Sequence, residues 1–154
     1  MQIRTAQSSD LDQVLMLSQQ GFDYDEQFDP TLNMQWSQSN EARVYFGAKI
    51  DSEDALLIVA VRDSEIVGYL AAGCKTSEPY RQPSRLAELE VMFVAETFRN
   101  KGVGRQLTNE FFRWATGKGC QRAKVVASAG NIRAAKFYRD NGFQDYTVAL
   151  EKEI

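Results

Sequence analysis

The stretch Val94-Ala95-Glu96-Thr97-Phe98-Arg99-Asn100-Lys101-Gly102-Val103-Gly104-Arg105 follows an apolar run from Leu86 to Val94 and leads into a helical pattern. In that pattern Val103, Leu107, Phe111 and Trp114 recur at near-helical spacing, and Gly117 and Gly119 end it. Strand, glycine-bearing turn and helix are thus joined in one unit. Gly102 and Gly104 carry no side chain, so backbone N–H groups there can come close to a ligand. The helix aims its first amides and the positive end of its dipole at the same place. Arg99, Lys101 and Arg105 add positive charge. Together these features make a cradle for a pyrophosphate. The same residues also fit an ordinary loop with solvated charges, and the short GxG by itself does not choose. The spacing excludes two better-known phosphate loops. GxxxxGK[ST] is absent, and the third residue after Gly104 is Leu107 where a GxGxxG fingerprint needs glycine.

Elements follow outward from this unit in both directions. Ile3-Arg4-Thr5 reads as an edge strand, and Ser8-Ser9-Asp10 offers N-caps to a helix carrying Leu11, Val14, Leu15 and Leu17, with Gly21 as its stop. Phe22 to Asn40 is polar and aromatic and contains a loop broken at Pro30; a second helix is predicted from about Leu32 to Phe46. Ala55 to Val61 is continuously apolar, as in a strand covered on both faces. The turn Asp63-Ser64-Glu65 returns it as a hairpin through Ile66 to Ala72. Thr76 to Ser84, with Pro79 and Pro83, reads as a loop and a candidate for substrate contacts. After the helix come a strand from Arg122 to Ser128, a short helix from Asn131 to Asn141 stopped by Gly142, and a final strand from Tyr146 to Leu150. The order is β-α-α-β-β-β-α-β-α-β, an α/β (α+β) sandwich around a mixed sheet.

Composition narrows the chemistry. The 154 residues fit a single domain, 1–154, able to bury of order two-thirds of its unfolded surface. No apolar run approaches the ~20 residues that span a bilayer, and Met1-Gln2-Ile3-Arg4-Thr5 has no signal-peptide character. No membrane partner is expected, and cytoplasm is the expected compartment. The net charge of −3 argues against nucleic-acid binding. The chain has no histidine, which removes Ser-His-Asp and Cys-His hydrolysis and His-ligated zinc; no metal is expected. Cys74 and Cys120 match no CxxC pattern and read as free thiols.

Two blocks carry a family resemblance. Val94 to Gly104 resembles the V-x-x-x-[YF]-R-x-x-G-x-G signature of the GNAT superfamily of N-acetyltransferases. Asn131-Ile132-Arg133-Ala134-Ala135-Lys136-Phe137-Tyr138-Arg139-Asp140-Asn141-Gly142-Phe143 resembles that superfamily's N-x-x-A-x-x-[FL]-Y-x-x-x-G-F block. They stand in the right order, one helix and one strand apart. Ala95-Glu96 departs from the Asp-Pro often found there.

The resemblance implies the GNAT fold, with a mostly antiparallel central sheet splayed at the fourth strand, and acetyl-CoA as co-substrate. It implies that the main chain of Met92, Phe93 and Val94 holds the pantetheine arm as an added strand would, and polarises the thioester carbonyl. Arg99, Asn100, Lys101, Gly102, Val103, Gly104 and Arg105 would bind the pyrophosphate, mainly through N–H groups, and Asn131 would contact the CoA arm. Tyr138 falls where a hydroxyl often protonates the departing thiolate. Glu88 and Glu90 are the general-base candidates, with Glu88 slightly favoured. Two apart on a regular strand, they share a face, with Leu89, Val91 and Phe93 on the opposite, core-packed face. Acetyl transfer to a primary amine would be direct, without a covalent enzyme intermediate. The alternative is a GNAT-like module that binds acyl-CoA without catalysis.

Tyr24, Phe28, Trp36 and Tyr80, with Asp23, Asp25, Glu26 and Asp29, lie in segments that usually line the acceptor site. Such an acidic, aromatic rim would suit a cationic small-molecule or peptide amine. Many relatives are dimers, so a homodimer is among the assemblies the resemblance allows.

Overall fold

A computed structural model describes residues 1–82 and 84–154 of the chain. Pro83, assigned above to a loop, lies outside the described residues. The strands β1 (Gln2–Thr5), β2 (Ala55–Arg62), β3 (Glu65–Thr76), β4 (Arg85–Val94) and β5 (Arg122–Val125) form one sheet in that spatial order. Neighbours from β1 to β4 are antiparallel, and β5 runs parallel to β4. The helices are α1 (Leu11–Asp25), α2 (Asn40–Asp51), α3 (Val103–Gly117) and α4 (Ile132–Asp140). None of them is long and apolar enough to cross a membrane.

The unbroken apolar run of β2 has a two-sided explanation. Leu56, Ile58 and Ala60 face the layer that contains α3, whereas Leu57 and Val59 face the layer of α1 and α2. At the β2–β3 hairpin both Asp63 (φ 50°) and Ser64 (φ 67°) are left-handed, which matches the turn to the right-handed twist of its strands.

Several boundaries differ from the sequence reading: β3 runs on past Ala72 to Thr76, and β5 ends at Val125, not Ser128. Helix α1 does not stop at Gly21 but runs on to Asp25. A Cβ on Gly21 would lie 3.3 Å from the Phe93 ring, so this glycine lets the helix lie close to β4. Helix α2 begins at Asn40, not near Leu32, because the Ser39 hydroxyl accepts the Ala42 N–H (3.2 Å) and fixes the first turn there. The strand expected at Tyr146–Leu150 does not form. Val148 and Leu150 are 82% and 90% exposed, and the Tyr146 ring instead lies between two guanidinium groups, Arg81 at 5.1 Å and Arg122 at 4.6 Å.

A further correction concerns faces. Between β3 and β4 the register shifts: Leu89 opposes Ala72 and Val91 opposes Ala71, leaving Glu90 as an extra, bulged residue. Leu89 faces α3 as expected. Beyond the bulge the alternation is inverted, so Val91 and Phe93 pack toward α1 and α2, the side that Glu90 also faces.

One partly buried pair anchors the first strand to the first helix. Arg4 donates two hydrogen bonds to Asp10 (2.6 and 2.9 Å), and Asp10 also accepts the Gln7 N–H at 2.7 Å. The Arg4 hydrogen bonds, helped by Gln7 against the effect of burial, hold the Asp10 carboxyl below its ordinary range. A lowered folded-state value means stability that is complete above the unfolded value of about 3.9 and is lost as pH falls through the folded one. Asp10→Asn should therefore cost about 1–2 kcal/mol at pH 7, Arg4 being partly solvated, and progressively less as pH falls through the folded-state value. Urea unfolding of both proteins across this range checks the convergence.

Candidate active site

The sheet opens where β5 ends. Paired residues run from Leu86↔Arg122 to Leu89↔Val125, whereas β4 remains paired with β3 as far as Val94. From Glu90 to Val94 the β5-facing edge of β4 therefore lacks a partner strand among the described residues. Unpaired backbone N–H and C=O groups on such an edge favour an extended ligand that can take the missing strand's place. The bulge at Glu90 marks the start of the gap.

Helix α3 begins just beyond the strand end. Asn100 (φ 60°) and Gly102 (φ 80°) are both left-handed, curling the chain so that Gly102 becomes the N-cap. The N–H groups of the first turn, including Val103, Gly104 and Arg105, have no acceptor inside the helix and are open to an anion. The two glycines serve different purposes. Nothing lies within 4 Å of a Cβ built on Gly102, so backbone conformation is what requires glycine there. A Cβ on Gly104 would lie 3.2 Å from the Phe137 ring, so Gly104 also lets α3 and α4 pack closely. Lys101 and Arg105 are exposed beside the cradle.

Arg99 is engaged elsewhere. Its N–H donates to Glu96 O (3.1 Å) and its Nε to Val94 O (3.0 Å). The guanidinium lies 4.7 Å from the centre of the Tyr24 ring and 5.2 Å from that of Phe93. It thus lines the gap with charge rather than reaching toward the α3 N-terminus.

The end of α1 spans the gap. Asn131 Nδ2 donates to Asp25 Oδ1 (3.3 Å), and the Phe28 ring lies 3.4 Å from a Cβ built on Gly130. Asn131 also caps α4, its Oδ1 accepting the Ala134 N–H at 3.0 Å. Burial raises the Asp25 carboxyl above its ordinary range; Asn131 and the Arg99 charge oppose that shift without cancelling it. Tyr138, on α4, packs edge-on against Phe137 and Phe143. Burial first, and then the nearby Asp25 charge, pushes its hydroxyl up to about 12.

The two glutamates of β4 both carry lysine partners that no local pattern announces. Glu88 pairs with Lys75 on β3. Glu90 meets Lys49 Nζ at 2.7 Å and accepts a hydrogen bond from the Tyr45 hydroxyl. Burial pushes the Glu90 carboxyl up, but the hydrogen bonds from Lys49 and Tyr45 and the charges of Lys49 and Lys75 outweigh it, and the net shift is downward. Of the aromatic rim, Tyr24 and Phe28 reach the gap beside Asp25. Trp36 does not; it stacks on Phe22 (5.7 Å) within the packing of α1 and α2. Tyr80 is 79% exposed on the loop at the opposite end of β4.

A profile of the acetyltransferase (GNAT) family matches residues 19–143. The chain belongs to that family. It is 24% identical over 138 residues to an uncharacterised N-acetyltransferase of Archaeoglobus fulgidus, covering 90% of this chain and 89% of the relative. It is 29% identical over 115 residues to the aminoglycoside N(6')-acetyltransferase type 1 of Salmonella typhimurium, covering 69% and 74%. Its fold matches that of the aminoglycoside N-acetyltransferase AAC(6')-Iy, solved with a CoA-linked acetylneamine bisubstrate analogue, with a TM-score of 0.76 at 22% identity over 99% and 97% of the two chains. The chain is thus a GNAT-family N-acetyltransferase, an acyltransferase by class.

Proposed function

We propose that this GNAT enzyme moves an acetyl group from acetyl-CoA directly to a primary amine on a cationic acceptor, both substrates being bound together. The observation that carries the reading is the unpaired β4 edge from Glu90 to Val94 running into a helix N-terminus. An extended pantetheine arm and a pyrophosphate need those two features in that order. Backbone groups of Met92, Phe93 and Val94 hold the arm, and the amides from Asn100 to Arg105 hold the phosphates. Acetyl-CoA supplies the activated acyl group, and the relatives' CoA-linked chemistry supports that donor.

The acceptor enters under the end of α1, where Asp25 offers a half-buried carboxylate to an ammonium group. Glu88 then removes a proton through water, its partner Lys75 being exposed enough to swing away. Glu90, held by Lys49 and Tyr45, is the weaker base. The freed amine forms the new C–N bond, the C–S bond breaks, and Tyr138 gives its proton to the departing sulfur.

Release of free CoA thiol tests the whole reading. The purified protein with acetyl-CoA is offered aminoglycosides, polyamines and lysine peptides beside neutral and acidic amines. Turnover should appear with the cationic acceptors. Reaction with neutral or acidic amines alone would refute the acceptor assignment, and acetyl-CoA binding with no turnover on any amine would favour a non-catalytic module. With a reactive acceptor in hand, Asp25→Asn should mainly raise KM, while Glu88→Gln should lower kcat by about 10²-fold.

A further inference from the structure

Cys74 and Cys120 lie 46 positions apart, yet their Sγ atoms are 3.2 Å from each other. Cys74 is on β3, opposite Ala87 of β4, and its N–H donates to Asp54 O at 2.7 Å. Cys120 sits in the turn from α3 into β5. Its N–H donates to Ala115 O (3.0 Å), and that of Gln121 to Arg85 O (2.9 Å). Both backbones are therefore pinned, and the two sulfurs are held in contact rather than meeting by chance. They stand at the end of β4 opposite the Gly102 cradle, so acetyl transfer makes no use of them.

Both thiols are half-buried, and they differ in what surrounds them. Cys74 lines an open depression of about 550 Å³ together with Asp54, Thr76, Arg81 and Arg85. Cys120 does not line it. Burial first, then the Cys74 sulfur, pushes the Cys120 thiol up to about 11, with the Arg85 guanidinium opposing the rise. Arg85 is itself paired with Asp54.

We propose that Cys74 and Cys120 form a redox-modification site, a dithiol that exchanges with oxidised glutathione to give an intramolecular disulfide tying β3 to the turn entering β5. Cys74, deprotonated, attacks one sulfur of the glutathione disulfide and releases one glutathione thiolate. Cys120 then loses its proton, attacks the Cys74 sulfur and displaces the second glutathione. Each step breaks one S–S bond and forms one. The cysteines give up two electrons in all, and their two protons end on two molecules of reduced glutathione. The fixed contact makes the second displacement intramolecular, which favours it over the accumulation of a mixed disulfide.

Closing so long a loop restricts the unfolded chain, and at this chain length the oxidised protein should melt about 10 °C higher than the reduced one. The test incubates the purified chain in glutathione buffers from fully reduced to fully oxidised, quenches with acid, alkylates and reads intact mass and Tm. The expected product has lost two hydrogens, takes up no alkylating agent and shows the raised Tm. Cys120→Ser should instead accumulate one glutathione on Cys74 with no gain in Tm. Two alkylatable thiols at every buffer ratio, a lasting glutathione adduct on the unsubstituted protein, or a disulfide that leaves Tm unchanged would each overturn the proposal. Should Cys120→Ser not fold, mass and Tm of the unsubstituted protein decide the matter alone.

Discussion

Gly102→Asp should raise the Kd for acetyl-CoA by more than about 100-fold while the protein stays folded. The fold survives because nothing lies within 4 Å of a Cβ at this position. The left-handed backbone (φ 80°) strains any L-residue, but Asp is among those that tolerate it best. A carboxylate at an N-cap also accepts first-turn amides and complements the helix dipole, offsetting part of the strain. Binding is lost for the same reason that the fold is kept. The new carboxylate occupies the amides that a pyrophosphate would use and repels its charge. Two charge-assisted hydrogen bonds at about 1.5–3 kcal/mol each correspond to a loss of at least 10²-fold. Gly102→Ala adds the strain without the charge and should lose far less affinity. Isothermal titration of both variants decides: equal losses would assign the effect to backbone strain, and wild-type binding by Gly102→Asp would move the phosphates away from this turn.

What the sequence revealed was local. The two-sided strand β2, the Asp63-Ser64 turn, the Gly102 entry to α3 and the short helix α4 each depend on residues within a few positions of one another, and each formed as read. Apart from the start of α2, set locally by Ser39, the misreadings depend on distant partners. Gly21 carries a stop signal, but Phe93 of β4 lies where its side chain would be, and the helix continues through it. Tyr146 to Leu150 alternates like a strand, yet alternation yields a strand only where a neighbouring edge receives it, and Arg81 and Arg122 hold Tyr146 instead. The bulge at Glu90 has no glycine to announce it, and it turned Val91 and Phe93 to the other face. At the site, the glycine turn and Tyr138 could be found from motif spacing. Lys49 and Lys75, which pair with Glu90 and Glu88, could not, because strand register and helix docking bring them there. The contact between Asp25 and Asn131 joins residues 106 positions apart, and the acidic composition of the segment was its only trace.

Tyr138→Phe should lower kcat roughly 10²–10³-fold with little change in KM, the mark of a group that acts in the transition state and not in binding. The ring makes its packing contacts with Phe137 and Phe143 through carbon, so Phe preserves them and stability should hardly change. Only the hydroxyl proton is lost. A thiol leaving group has an ordinary pKa near 8.5, and a hydroxyl held at about 12 keeps its proton throughout the working range while the thiolate forms. The sign of the pH dependence follows. Burial and the Asp25 charge both favour the neutral phenol, so activity should show no alkaline loss attributable to Tyr138 below about pH 11. Asp25→Asn removes one of the two causes and should bring the Tyr138 titration down toward the unperturbed tyrosine value. Single-turnover rates across pH for the wild type, Tyr138→Phe and Asp25→Asn separate these effects. An unchanged rate in Tyr138→Phe would leave thiolate protonation to water and reduce Tyr138 to an aromatic wall of the α4 packing.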